Sequence, residues 1–365
     1  MTRALPVLGC LVLLAAVAVA QQPAVQNGRV EPRKVSALER DVMALGKAAT
    51  DPIWVGWRVP MVDGDRELCS SWNTSNTSRG DYIESGTSGT ITSPEARQFA
   101  APTGPVPLEG GTSILVLMRF VDGRLERMRT LSGDCPLDAG SRTLHWIEAV
   151  TPADSLRFLD TLTRVDGPDS LNAITARRTL ASSALSSIAL HRDAGADVIL
   201  ERIAADRSDT SLRPTALRLL ASNRGARGLA TLERQLKTET SSDDRRALVS
   251  AIGASREPGV TGILKPLLRD GDAKVRAEAV SRYIVIGGPA VVSEALAIVN
   301  ADPVDDVKTR AVSAMAQWPR GEGVPHLIAL ARTSKDPVVQ KRAVSSLSNS
   351  RDPRAIAYLE ELLKK

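Results

Sequence analysis

Aromatic residues are scarce: three Phe, three Tyr and five Trp make up 3% of 365 residues. A large conventional core leans on such rings, so most of this chain has to pack through Ala, Val, Ile and Leu. The same shortage disfavours a nucleic-acid binder that stacks bases on aromatic platforms. Histidine is rarer still, with His145, His191 and His326 alone and none at ligand spacing from a partner. The motifs of zinc proteases, thiolate zinc sites, serine hydrolases and phosphate-binding loops are missing as well. No catalytic, metal or cofactor residue is therefore expected, and the chain reads as non-enzymatic. Net charge is also small, 47 Lys+Arg against 42 Asp+Glu, too well mixed to demand a polyanion, and no nucleic-acid partner is expected. Hydrophobic residues at 43% and charged residues at 24% exclude wholesale disorder.

Cysteine is limited to Cys10, Cys69 and Cys135. Residues 1–20 read as a signal peptide: Arg3 supplies the positive start, apolar residues run from Ala4, and Ala18-Val19-Ala20 places cleavage after Ala20. The run is short for a membrane span and contains Pro6. Export to the periplasm or beyond is expected, with no membrane span after cleavage. Loss of Cys10 leaves Cys69 and Cys135, which in an oxidising compartment read as one disulfide. The competing role, a catalytic thiol, would have only His145 nearby as its base.

Two regions follow with different grammar. Residues 21–34 are polar, hold Pro23 and Pro32, and read as a flexible tether. Residues 35–165 read as a small α+β domain. Ser36 and Glu39 form a capping box for a helix carrying Leu38, Val42 and Leu45. Strands are expected over Ile53–Val59, Ser113–Val121, Arg124–Thr130 and Leu144–Val150, with Asp122-Gly123 as a hairpin turn. Thr151-Pro152 opens a helix through Leu162, and residues 73–111 read as a long flexible loop. Four Trp lie in this region: Trp54, Trp57, Trp72 and Trp146.

From residue 166 to 365 a repeat appears. Anchor alanines stand at Ala184, Ala216, Ala247, Ala279, Ala311 and Ala343, at intervals of 32, 31, 32, 32 and 32 residues. Apolar columns follow four residues on (Ile188, Leu220, Ala251, Tyr283, Met315, Leu347) and sixteen on (Leu200, Leu232, Ile263, Ala295, Leu327, Leu359). Gly and Pro punctuate the gaps between paired helices, and Asp272, Asp302 and Asp336 are placed to cap first helices. A single helical hairpin cannot bury both its faces, so the units must stack, giving a right-handed α-solenoid of about six hairpins. The fold expected is mostly α, with a small α+β domain ahead of the solenoid.

Asp272-Ala-Lys-Val-Arg-Ala-Glu-Ala-Val280 and Asp336-Pro-Val-Val-Gln-Lys-Arg-Ala-Val344 resemble the HEAT-like repeat in its short form. That form is common in bacterial proteins and in the phycobilin-lyase relatives. The third repeat departs from the pattern, with Asp243 where most have Leu or Val. The N-terminal region is similar to the leader domain of some secreted bacterial HEAT-repeat proteins.

Smaller motifs add little. Asp63-Gly-Asp65 and Asp270-Gly-Asp272 lack the remaining ligands of a calcium loop and read as turns. Arg79-Gly80-Asp81 is a three-residue match of the kind chance supplies. Eighteen residues after each anchor stand Arg202, Arg234, Lys265, Ala297, Ala329 and Glu361. The first three form a candidate basic ladder for an acidic peptide or another protein. The function expected is an exported interaction scaffold that binds a partner on the solenoid surface. The alternatives are an envelope-associated structural protein or, as the resemblance allows, a lyase-like enzyme.

Overall fold

The computed structural model describes residues 22–64, 68–69, 81–84, 111–164, 171–208 and 210–364. The expected signal peptide, Trp72 and most of the expected 73–111 loop lie outside the described residues. Two compact units emerge: one takes the chain to Val59 and Gly64–Ser155, the other Pro60–Asp63 and Leu156–Lys365. The division thus falls ten residues earlier than the expected boundary at 165/166. The second half of the helix opened by Pro152 supplies buried Leu156, Phe158 and Leu159 to the helical unit, and periodicity alone cannot say to which core a helix donates its face.

The first unit is built on a six-stranded sheet of order β1-β6-β2-β4-β5, with β3 also paired to β6. Its elements are β1 (Val25–Arg33), α1 (Leu38–Ala48), β2 (Ile53–Pro60), β3 (Asp81–Tyr82), β4 (Ser113–Val121), β5 (Arg124–Ser132) and β6 (Leu137–Ile147). The expected tether is therefore an edge strand, running parallel to β6. Its signal is hidden by a bulge. Asn27 has φ 47° and the register shifts between Gln26 and Gly28, so Val25 and Val30, of opposite parity, pack on the same core. Within the expected loop, β3 and buried Ile83 are ordered against β6. The hairpin turn is as expected, with Asp122 and Gly123 both at positive φ, 49° and 74°.

Three tryptophans, Trp54, Trp57 and Trp146, are fully buried. The Trp54 indole N–H donates to Glu84, which also accepts two bonds from Arg119, while the Trp57 indole donates to Ser155. Helix α1 packs close to β4: a Cβ on Gly46 would come within 2.0 Å of the Phe120 ring. The capping box is corrected in detail. Asp41, not Glu39, accepts from the backbone N–H groups of Ser36 and Ala37. Cys69 and Cys135 are joined as a buried disulfide across 66 residues of chain.

The second unit begins within α2 (Pro152–Leu162). Six hairpins follow: α3 (Leu171–Leu190) with α4 (Gly195–Ala205), α5 (Arg213–Asn223) with α6 (Gly225–Thr238), α7 (Ser242–Ile252) with α8 (Val260–Leu267), α9 (Ala273–Gly287) with α10 (Val292–Ala301), α11 (Asp305–Met315) with α12 (Val324–Thr333), and α13 (Pro337–Ser348) with α14 (Pro353–Leu363). First helices pack on first helices along the series, forming one layer, and the second helices α4, α6, α8, α10 and α12 each pack against the first helix of the hairpin that follows. This is the expected α-solenoid.

The seams are nearly those read from the sequence. Ala184, Ala216, Ala279, Ala311 and Ala343 are fully buried, as are Leu200, Leu232 and Ala295. The third hairpin is displaced by one residue. Leu248, Ile252 and Leu264 fill the seam, whereas Ala247 and Ile263 are only half-buried. The short interval therefore falls between the third and fourth anchors, where α8 has eight residues against ten or more in its counterparts. Ala273–Ala301 is long and apolar enough to cross a membrane by length and composition, which corrects the expectation of no such stretch. In the fold it is two helices, broken where Gly288 takes φ 57°.

Candidate interaction surface

The residues of the expected basic ladder, Arg202, Arg234 and Lys265, lie on the successive second helices α4, α6 and α8, and all three are exposed. None stands as a bare cation. Arg202 pairs with Asp160, Arg234 with Glu201 of the preceding second helix, and Lys265 lies 3.9 Å from Glu294 of the next. Arg332 and Glu361 continue the pattern at 2.5 Å. The ladder is therefore charge-compensated, because the carboxylates sit at neighbouring register positions that a column of single residues does not display. Exposed pairs of this kind contribute about 0–1 kcal/mol each, and an incoming ligand can exchange with them.

Shape sets the middle of this face apart. Helix α8 is short and carries Pro266 in its last turn. At Gly262 an added Cβ would meet nothing within 4 Å. A groove of about 1050 Å³ opens between α8 and α10, over Gly262, Pro266, Ala297 and Ala301. A second, of about 660 Å³, lies between α6 and α8 and shares Gly262 and Pro266. The larger groove is flanked by Lys265 and by Arg269, which has no ion-pair partner among the described residues. A third depression of about 460 Å³ between α10 and α12 is lined partly by His326.

A different set of charges holds the hairpins in line. Three residues before the second, third, fourth and fifth anchors, with Leu248 as the third, stands a cation that reaches a carboxylate of the neighbouring repeat or of the loop leading into it. Arg213 pairs with Asp244, Arg245 with Asp270, Arg276 with Asp302 at 2.8 Å and Lys308 with Asp336 at 2.7 Å. These pairs are far less exposed than the ladder on α4, α6 and α8. The Lys308 ammonium holds the Asp336 carboxyl below the usual carboxylate range, and Asp270 raises the Arg245 guanidinium. The column was legible in the sequence once the third anchor is moved to Leu248. Asp272, Asp336 and Asp352 cap α9, α13 and α14. Asp302, expected as a cap, instead accepts from Val304 N–H and Arg276.

Arg224 is a further residue that sequence reasoning missed. Its side chain is fully buried at the end of α5 and donates to the carbonyls of Ala189 and His191 while pairing with Asp197. It thus covers the orphan carbonyls at the C-terminus of α3. Arg192, Arg224, Arg256 and Arg320 follow the same 32-residue period, with Gly288 in the gap, and that period is the signal that could have found it.

The histidines are placed structurally. His191 is fully buried, with its Nδ1 2.8 Å from the Ser187 carbonyl, and burial lowers it to about 4. His326 meets Trp318 edge to face. His145 lies on β6 near Glu31 and Arg33, and burial lowers its pKa. Among the described residues no group of three or more His, Cys, Asp or Glu is placed to hold a metal ion. Asp270 pairs with Arg245 and Asp272 caps α9, and buried Asp81 pairs with Arg129, which removes it from the surface.

Kap121p is similar over 58% of this chain and 27% of its own, at 13% identity and a TM-score of 0.35. Kap121p bound to Pho4p matches at 13% identity, with the same shares covered and a TM-score of 0.37. Human deoxyhypusine hydroxylase is similar over 57% of this chain and 90% of its own, at 16% identity and a TM-score of 0.28. This chain spans about a quarter of the length of Kap121p. A search of curated protein sequences finds no match. Residues 292–365, from α10 to the C-terminus, match the HEAT repeats family.

Proposed function

We propose that this chain is an exported, non-catalytic scaffold that binds an extended segment of another protein across the second-helix face, centred on α8. The observation that carries this reading is the pair of grooves sharing Gly262 and Pro266. Short α8 leaves a gap in an otherwise regular layer, the gap is lined by Gly262, Pro266, Ala297 and Ala301 beside the paired charges Lys265–Glu294 and Arg276–Asp302, and Arg269 stands at its edge to meet a carboxylate. Apolar pockets rimmed by a few polar groups are where binding energy concentrates. The Kap121p–Pho4p complex is a case of a protein partner bound by a chain of similar architecture.

Export rests on the leader at residues 1–20 and on the buried Cys69–Cys135 pair. The N-terminal sequence of the mature protein tests it directly, with Gln21 expected first. For binding, a library of extended peptides is selected on the immobilised chain and on its Gly262→Trp variant. The added ring has open space to enter, so the fold should be kept while both grooves are filled. Peptides recovered on the parent should lose at least tenfold in affinity for the variant, and Arg269→Glu should weaken the acidic ones further. Equal affinities for parent and variant would refute the site. The envelope-associated alternative draws on another face.

A further inference from the structure

The first-helix layer carries a different surface. Taking Leu248 as the third anchor, the positions two and one before the anchor and two after it lie largely on the side of each first helix away from the seam. Ala277 and Glu278 are buried, and Arg282, three after the fourth anchor, is half-buried at the edge of that side. On that side stand Arg218, Arg246, Arg282, Arg310, Lys341 and Arg342, contributed by α5, α7, α9, α11 and α13. Two of the six are compensated: Arg282 and Arg310 reach Glu278, which is itself buried, and Arg310 also lies 3.6 Å from Asp306. Arg218, Arg246, Lys341 and Arg342 are exposed and have no ion-pair partner among the described residues. This contrasts with Arg202, Arg234 and Lys265, each of which faces a carboxylate.

The residues between the cations are short hydroxyls. Two residues after the anchor, Ser186, Ser250, Ser281, Ser313 and Ser345 recur in five of the six hairpins. Val285 and Ile286, exposed at the end of α9, provide apolar contact on the same layer. The four unpaired cations, Arg218 on α5, Arg246 on α7 and Lys341 and Arg342 on α13, stand among serines on either side of the compensated Arg282 and Arg310, and have no deep apolar anchor point for a peptide. They fit an extended anionic surface whose phosphate groups accept forked guanidinium and hydroxyl hydrogen bonds.

We infer that the outer side of the first-helix layer docks on an anionic lipid bilayer, leaving the second-helix grooves free for the protein partner. Each basic residue near such a surface is worth roughly fivefold in partitioning at low salt. The test is cosedimentation of the full chain with phosphatidylcholine vesicles, with or without phosphatidylglycerol. Wild type should sediment with the anionic vesicles and not the neutral ones, and its binding should fall as salt rises. Arg218→Glu/Arg246→Glu/Arg342→Glu should lower the partition coefficient at least tenfold, with an unchanged circular dichroism spectrum. Lys265→Glu, on the other layer, should retain vesicle binding. All variants share the apolar leader, so differences between them report the helix face. Equal partitioning of wild type and triple variant would overturn the inference, as would an equal loss in Lys265→Glu. Capture by soluble polyglutamate in the absence of vesicle binding would assign the face to an acidic protein and overturn it too.

Discussion

Acid should unfasten the helical unit through one histidine. His191 closes α3, is fully buried, and holds its Nδ1 2.8 Å from the Ser187 carbonyl. Burial is the main cause that lowers it from 6.5 to about 4, while nearby Arg224 adds to the shift. The unfolded chain therefore takes up a proton below pH 6.5 that the folded chain refuses until about pH 4. Stability from this group is complete above pH 6.5 and is lost progressively as pH falls toward 4. The gap of about 2.5 pH units corresponds to roughly 3 kcal/mol at about 1.4 kcal/mol per unit. The assay is urea unfolding followed by far-ultraviolet circular dichroism at pH 7.5, 5.5 and 4.2, for wild type and His191→Gln. The glutamine amide keeps a donor for Ser187 without a titrating group. Wild type should lose about 3 kcal/mol relative to the variant across that range. His145 and the capping aspartates are common to both proteins, so they cancel in the difference. Parallel pH profiles would refute the assignment of a buried, neutral His191.

Other substitutions probe the stack and the sheet. Leu264→Ala should cost about 2–5 kcal/mol and Ile263→Ala less than about 1 kcal/mol, as thermal melts would show; the reverse order would restore the unshifted register. Arg224→Met should cost about 3 kcal/mol or more, since it uncovers the α3 carbonyls and removes a buried partner of Asp197. Cys69→Ser with Cys135→Ser should lower stability of the sheet unit by about 4 kcal/mol in the chain-entropy picture, and reductant should reproduce that loss in wild type alone.

The parts of the fold that repeat were legible. Ala279, Ala311 and Ala343 are buried where the 32-residue interval puts them, because a small residue at a helix seam is imposed anew in every hairpin. Position 247 misled for a local reason: Ala247 imitates an anchor next to the true one at Leu248, and the shortening that compensates lies in α8. In the sheet unit nothing repeats. The bulge at Asn27 and Gly28 scrambles the alternation of β1, and β6 begins seven residues earlier than its apolar run because Leu137–Thr143 is paired through the backbone. The face of α4, α6 and α8 was half legible: the cations were visible as a column, but their carboxylates come from other registers. The grooves beside α8 arise from a missing turn and a glycine, features that show only when neighbouring helices are in place.

Amide hydrogen exchange of the chain, with and without the tightest peptide selected on it, tests the central claim most directly. Added protection should fall on residues 259–269 and 292–301, the two walls of the larger groove, and should disappear in Gly262→Trp. Protection confined to the sheet unit or to the first helices would contradict the account.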